Sequence, residues 1–292
     1  MPDAARGHGW RTVLLTTVAM LAFAANSLLC RLALQRRGID PASFGGVRLV
    51  AGALVLGLIV RFRAQPPASP ARVDWLAAVM LFGYVAFFSF AYLSLPAGTG
   101  ALILFGAVQL TMFGVGLRSG GERFGALAWF GFVLAAGGLV YLVFPGVAAP
   151  PLLGAVLMAV AGVAWGVYSL RGRGVADPLA ATARNFTRAV PFALALSVVL
   201  AASARADTVG IALAVISGAL TSGLGYAVWY AALGRLTAMR AATVQLSVPL
   251  LAAFGGVLFL SEAITPRLAV ASVTILGGIA LVLGQKARSA RP

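Results

Sequence analysis

Ten apolar runs separated by short connectors dominate this sequence, covering residues 12–34, 42–60, 73–94, 98–117, 124–143, 151–170, 178–201, 208–231, 239–260 and 267–285. A helix needs roughly 20 apolar residues to cross the hydrocarbon of a bilayer, so each run predicts one membrane-spanning helix. Composition agrees. The chain is 61% hydrophobic and 10% charged, against about 45–50% and about 25% in soluble domains, which leaves too few polar residues to cover a soluble surface. The expected fold class is therefore all-α, a polytopic membrane protein of ten transmembrane helices. The longest connector, RFRAQPPASPARVD, is proline-rich and reads as a loop. The first run is too long for a signal-peptide core and carries Arg31 near its end, so it reads as retained.

Net charge is +15, from 21 arginines and one lysine against seven acids. The arginines punctuate the apolar runs instead of forming one patch, which argues for orientation in the bilayer and against nucleic acid. One set of connectors and tails holds Arg6, Arg11, Arg61, Arg63, Arg72, Arg118, Arg123, Arg171, Arg173, Arg235, Arg240, Lys286, Arg288 and Arg291. The opposite set holds Arg36, Arg37, Arg205 and Arg267. Fourteen against four predicts, by the positive-inside rule, that both termini are cytoplasmic.

The chain also echoes itself. A shift of 140 brings Glu122 onto Glu262, Gly116 onto Gly256 and Gly137-Gly138 onto Gly277-Gly278. Tyr92 and Tyr230 precede the two copies, and Asp40-Pro41 and Asp177-Pro178 open the second and seventh runs. Two halves of five spans each, 1–146 and 147–292, must insert with opposite orientation, because five is odd. Inverted repeats place a site at the interface between the halves, exposed to each side in turn. The architecture thus points to alternating-access transport.

Several chemistries lack their residues. A lone Cys30, a lone His8 in the N-terminal tail and a lone Lys286 outside any P-loop pattern leave no disulfide, metal-ligand cluster or nucleotide site. The acids Asp3, Asp40, Asp74, Glu122, Asp177, Asp207 and Glu262 all fall in tails, loops or span ends. A proton relay commonly needs an acid or histidine at mid-membrane depth. Its absence favours facilitated movement and argues against an enzyme, a metal site or a cofactor. Glu122 and Glu262 read first as carboxylates at helix N-termini, with a role at the repeat interface as the other reading.

Polar and aromatic residues inside the runs are the candidates for a site. Arg48, Arg184 and Arg188 lie within the second and seventh spans; the alternatives are snorkelling and attraction of a substrate carboxylate, with Asn185 as a neighbour. Asn26 and Ser27 align with Trp165 and Gly166 of the other half. Gln109 and Gln245 fall inside spans four and nine, as interhelical glue or substrate contacts. Tyr84, Phe88 and Tyr92 share one helical face, and Tyr226 and Tyr230 repeat that spacing. With Trp165, Tyr168 and Trp229 they suggest an aromatic cavity for an amphipathic solute, the alternative being an interfacial belt. Pro249 is a candidate kink or hinge. Gly114, Gly116, Gly255 and Gly256 read as helix-packing positions, and the linkers at Pro96–Gly100 and Gly234–Thr237 close two tight hairpins.

Ten spans, the inverted duplication, the two Asp-Pro and two Glu helix openings and the late Gly-Gly pairs resemble the drug/metabolite transporter superfamily. More narrowly, the chain resembles the ten-helix EamA-type exporters of bacteria. Their Trp-Gly pair stands here as Trp165-Gly166 in one half but as Asn26-Ser27 in the other. The aromatic cavity resembles the YddG-like branch, exporters of aromatic and other neutral amino acids. The resemblance implies efflux across a bacterial inner membrane. A multidrug or other metabolite permease on the same fold remains open, as does a membrane scaffold that transports nothing. Oligomeric state is left open, a monomer being compatible.

Overall fold

The computed structural model describes residues 3–63, 74–118, 125–146, 148–236 and 238–289. Among them the chain is helical, apart from an isolated antiparallel bridge between Ile39 and Ala206. In order come α1 (Asp3–Gln35), α2 (Pro41–Phe62), α3 (Trp75–Ala91), α4 (Ala97–Arg118), α5 (Ala126–Val143) and α6 (Leu152–Arg171). Then follow α7 (Pro178–Val199), α8 (Thr208–Ile216), α9 (Gly225–Leu233), α10 (Ala238–Gln245), α11 (Ser247–Leu260) and α12 (Pro266–Ser289). π-helical turns over Ser217–Leu224 join α8 to α9, making Thr208–Leu233 one rod. α10 and α11 also form one rod. Among the described residues eight helices are long and apolar enough to cross a membrane. The two others expected from the sequence are the 17-residue apolar α3 and α7, which carries Arg184 and Arg188. Large apolar side chains such as Val133, Val198, Phe259 and Val273 point outward, where only lipid can cover them. This is a multi-pass membrane protein.

Aspartates start four of the helices. Asp40 accepts from the N–H groups of Ala42 and Ser43 at 3.0 Å, with Pro41 in the first turn. Asp177 accepts from Ala180 at 3.1 Å, with Pro178 in the matching place. Asp74 caps α3 through Ala77, and Asp207 caps α8 through Gly210. Each cap satisfies amides that the helix leaves orphaned, worth about 0.5–2 kcal/mol. Glu262 is a correction. It caps not α12, whose first turn is held by Thr265, but α4, 165 positions away, accepting the Ala97 N–H at 2.8 Å. Glu122 lies outside the described residues, as do Thr237, Arg72, Arg123, Arg291 and the side chains of His8, Arg6, Arg118, Lys286 and Arg288.

Neighbour pairings recur along the chain. α3 packs on α6 and α7, as the Thr208–Leu233 rod packs on α1 and α2; α4 packs on α6 as α11 packs on α1. α2 lies against α7, α4 against α11, and α5 against α12. At the last contact, a Cβ on Gly138 would stand 2.8 Å from Ile275 Cγ1, and one on Gly278 would stand 3.1 Å from Ala135 Cβ. Moving both partners of the first pair by 140 positions exchanges it for the second. The first glycine of each pair, Gly137 and Gly277, meets nothing within 4 Å. Gly255 packs on Leu28 as expected, but nothing lies within 4 Å of a Cβ at Gly114, so close packing does not explain that glycine. The surroundings of Gly116 lie outside the described residues.

The rod of α10 and α11 breaks where its proline requires. Pro249 has no N–H for the Gln245 carbonyl four residues back and crowds it. The helix tightens there, with Leu246 N–H bonding to the Thr243 carbonyl at 3.1 Å and the Ser247 hydroxyl to the Val244 carbonyl at 2.7 Å.

Candidate functional site: a cavity open at one end of the bundle

A cavity of about 1550 Å³ runs into the bundle from the end where α2, α6 and the starts of α3 and α7 meet. Arg63, Asp74, Arg171, Arg173 and Asp177 stand at its rim, and Trp165, Tyr226, Trp229 and Phe23 line it. Of the residues that the sequence singled out, Gln109, Trp165, Tyr168, Tyr226, Trp229, Tyr230, Gln245, Arg184, Asn185 and Arg188 line this cavity. Neither glutamine side chain has a hydrogen-bond partner among the described residues, so both amides can face a solute. Thr182 Oγ1 shares hydrogen bonds with the Tyr230 hydroxyl at 2.8 Å and the Tyr168 hydroxyl at 3.4 Å, a polar spot in an aromatic wall.

The cavity is electropositive. Five arginines line it (63, 171, 173, 184 and 188) against two carboxylates, Asp74 and Asp177. Both carboxylates are already paired: Arg171 Nε donates to Asp74 at 2.8 Å, and both Arg63 Nη atoms donate to Asp177, one at 3.0 Å. The hydrogen bond from Arg63 holds the Asp177 carboxyl below the usual carboxylate range, against the opposing effect of burial. Among the described residues no acid lies within ion-pair distance of Arg173, Arg184 or Arg188, though the charge of Arg184 also acts on Asp177; Arg188 lies 6.0 Å from the centre of the Trp75 ring.

Phe23 forms the floor. Its ring meets Trp165 at 6.3 Å, Tyr226 at 5.7 Å and Trp229 at 5.9 Å, all edge-on. Phe105 adds to the layer at 5.4 Å from Trp165. Behind this layer is a chamber with room for about one water (about 10 Å³), lined by Asn26, Ser27, Arg48, Tyr84 and Phe88 together with the back of the aromatic layer. Arg48 is 2% exposed, which rules out snorkelling. Its Nε donates to Ser222 Oγ at 3.2 Å and its Nη2 to the Tyr84 hydroxyl at 3.1 Å, with the rings of Tyr84 and Phe88 at 5.4 and 5.0 Å. Nη1 is buried and has no hydrogen-bond partner among the described residues.

Asn26 acts as glue. Its Oδ1 accepts from the hydroxyls of Ser217 at 2.9 Å, Thr221 at 2.6 Å and Ser222 at 3.3 Å, and its Nδ2 donates to the Thr221 carbonyl. The π-helical turns bring those hydroxyls onto one side, and Gly218 lets them close in: a Cβ there would stand 2.3 Å from the Arg48 carbonyl oxygen. π-bulges of this kind are frequent at functional sites. Tyr92 lines neither cavity. It is fully buried, bonded to the Ala97 carbonyl at 3.1 Å and packed over Gly100. Pro249 is buried at the kink, away from both linings. Sequence reasoning missed Phe23, Phe105 and Thr182. Only the hydroxyl-rich SGALTS stretch at 217–222 offered a signal, for the partners of Asn26 and Arg48.

The opposite end of the bundle is shut. Arg31 Nε bonds to Glu262 Oε1 at 3.1 Å, and its Nη1 reaches the carbonyls of Tyr92 and Leu93. Alongside, the Asp40 N–H donates to the Arg205 carbonyl at 2.9 Å, Asp40 Oδ2 accepts the Arg205 N–H at 3.0 Å, and Asp207 N–H bonds to the Gly38 carbonyl at 2.7 Å.

Comparisons with known proteins agree with this architecture. Residues 152–284 match the model of the EamA-like transporter family. An uncharacterized Pseudomonas aeruginosa protein, PA1977, is 55% identical over 100% of this chain and 99% of its own length. An uncharacterized transporter of Archaeoglobus fulgidus is 27% identical over 94% of this chain and 98% of its own. A protein of known crystal structure, 20% identical, superposes with a TM-score of 0.65 over 93% of this chain and 96% of that one, which shows a common fold. This chain belongs to one family with the Pseudomonas aeruginosa protein and carries, over residues 152–284, a domain of the EamA-like transporter family.

Proposed function

We propose that this protein exports amino acids, aromatic and other neutral ones among them, from the cytoplasm by alternating access. The observation that carries the reading is the cavity, deep, aromatic-walled and open at one end of a bundle whose other end is sealed. Its rim carries Arg63, Arg171 and Arg173, from the arginine-rich set that charge counting assigns to the cytoplasm. The structure then stands in an inward-facing state, with both termini cytoplasmic in a bacterial inner membrane. The free amides of Gln109 and Gln245 and the rings of Trp165, Tyr226 and Trp229 suit an amphipathic solute. α7 and α3 act as spanning helices with the other eight, in two inverted halves, 1–146 and 147–292. The recurring helix pairings and the exchange of the Gly138 and Gly278 contacts support that division, and the family match covers one such half. Pro249 serves as the hinge of its rod, and a single chain suffices for the site. Asp40, Asp74, Asp177, Asp207 and Glu262 are all engaged as caps or ion pairs, which supports a facilitator over a proton-coupled pump.

The test is efflux of labelled phenylalanine, tyrosine and leucine from liposomes holding only this protein, with and without a pH gradient. Efflux down the concentration gradient alone, reduced at least about tenfold by Trp165→Ala or Gln245→Ala in folded protein, is the expected result. No flux of any of the three sinks the amino-acid reading, and flux only with the gradient sinks the facilitator. One observation favours a second reading. At about 1550 Å³ the cavity exceeds the roughly 300–1,000 Å³ typical of small-molecule sites, which suits a permease for bulkier metabolites or drugs.

A further inference from the structure

The strongest unexplained feature of the molecule is the Arg48 guanidinium. It is a buried charge with neutral partners only: a serine hydroxyl, a tyrosine hydroxyl and two ring faces. One of its nitrogens, Nη1, is buried with no hydrogen-bond partner among the described residues. A charge inside a membrane protein is costly unless paired, and an unmade charge-assisted hydrogen bond adds to that cost. The fold nevertheless builds around it. The π-helical turns present Ser222 to Nε, and Gly218 allows the α2 backbone to approach at Arg48. Asn185, which stands in α7 at the distance from Asp177 that separates Arg48 from Asp40, is an amide. The charge is therefore particular to one half and is no requirement of the repeat.

Arg48 also lies one aromatic layer behind the cavity. Its Cζ is 5.4 Å from the Tyr84 ring centre, and that ring is 5.0 Å from Trp165, which lines both the cavity and the chamber. We propose that Arg48 is the receptor for a carboxylate on the transported solute, engaged when the layer of Phe23 and Trp165 parts and the Tyr84 ring behind it moves aside. A carboxylate accepts two parallel N–H bonds from a guanidinium; here Nη1 offers one, and the bond to the Tyr84 hydroxyl can be exchanged for the second. Arg173, Arg184 and Arg188, unpaired with any acid among the described residues, draw the same anion up the cavity. Among the described residues the two carboxylates of the lining, Asp74 and Asp177, are already held by Arg171 and Arg63, so the anionic end is the one recognised. The substrate class is thus an aromatic or apolar carboxylate, of which a neutral amino acid is one case. The inference rests on the transport reading above for its solute, but not on that solute's amino group.

Thermal stabilisation of the purified protein by phenylacetate, phenylacetamide, phenethylamine and phenylalanine tests it. In the native protein phenylacetate should bind at least about tenfold more tightly than phenylacetamide, with no stabilisation by phenethylamine. Arg48→Gln should abolish that preference, so that acid and amide stabilise the variant equally. If Arg48→Gln does not fold, Arg48→Lys takes its place and should reduce the preference without removing it. Equal binding of acid and amide by the native protein, stabilisation by the amine alone, no stabilisation by any acid, or a full preference in the variant each overturn the proposal. Binding of phenylacetate through Arg48 without binding of phenylalanine would keep this inference and remove the amino-acid reading instead.

Discussion

At the sealed end of the bundle the contacts between elements distant in sequence include side chain to backbone bonds, whereas at the open end the described ones are ion pairs between side chains. Arg31 holds two backbone carbonyls besides Glu262, Glu262 holds the Ala97 N–H, and Asp40 holds the Arg205 N–H. Arg63–Asp177 and Arg171–Asp74 at the other end are ion pairs on the cavity rim, the second of them with Arg171 about half exposed. A carboxylate that caps a helix distant in sequence fixes position and direction together. A rim ion pair fixes only a distance, and water competes for it. The difference explains why the open end can stay open while its pairs are made, and on the proposed alternating-access reading the contacts of the sealed end are the ones that would have to break.

Removing Glu262 tests the sealed end with the largest expected effect. Glu262→Ala takes away the charged partner of Arg31 and leaves the first N–H of α4 unsatisfied, a loss on the order of 2–3 kcal/mol. Arg31 keeps its two carbonyls, so the fold should survive while the seal loosens. Cys30, fully buried beside Arg31 and the sole cysteine, is a built-in reporter. A small thiol reagent should label it at least about tenfold faster in Glu262→Ala than in the native protein. Unchanged labelling in a folded variant would mean that the backbone bonds around Asp40 and Arg205 seal this end without Glu262.

Asp177 at the open end comes next. It caps α7 and pairs with Arg63, and Asp177→Ala loses both, about 1–2 kcal/mol. Because Arg63 lowers its pKa, Asp177 binds fewer protons folded than unfolded. Its contribution is fully present above the unfolded value of about 3.9 and is lost as pH falls through the lowered folded value. Asp74 and Asp40 are shifted the same way: burial pushes each up, but the hydrogen bond from Arg171 with the Ala77 N–H, and those from Ser43, Arg205 and Ala42, outweigh it. These three groups therefore predict a thermal midpoint that is flat from about pH 5 to 8 and falls only below about pH 4. A midpoint that climbs steadily between pH 5 and 8 would contradict these assignments.

How much of this could be read beforehand depended on whether a residue acts within its own helix or across the bundle. The rods, their ends and the Asp-Pro caps followed from local periodicity and composition, because a helix start is decided within four residues. Glu262 was misassigned for the opposite reason: it precedes a helix in sequence but caps another 165 positions away, and only the packing of α4 against α11 brings them together. Arg48 and Asn26 were visible as costly residues in apolar runs, but not their shared partner, because the π-helical turns that align Ser217, Thr221 and Ser222 leave no distinct periodicity. Phe23 was one phenylalanine among seventeen. Its place at the floor of the cavity depends on how α1 leans on the Thr208–Leu233 rod.

The smallest effect is expected at Arg171, and it sharpens the comparison because the pair looks well formed. Arg171 Nε reaches Asp74 at 2.8 Å, yet the side chains are 49% and 27% exposed. Exposed pairs of this kind contribute about 0–1 kcal/mol, since two long side chains lose entropy and water screens the charges. Asp74 keeps its cap on the Ala77 N–H without Arg171, so Arg171→Ala should move the thermal midpoint by at most a degree or two. Cys30 labelling should not change at all. A change in labelling comparable to that of Glu262→Ala would mean that the rim pair and the seal are energetically coupled. The open end would then be a second gate, and the two ends would differ in degree of closure but not in kind.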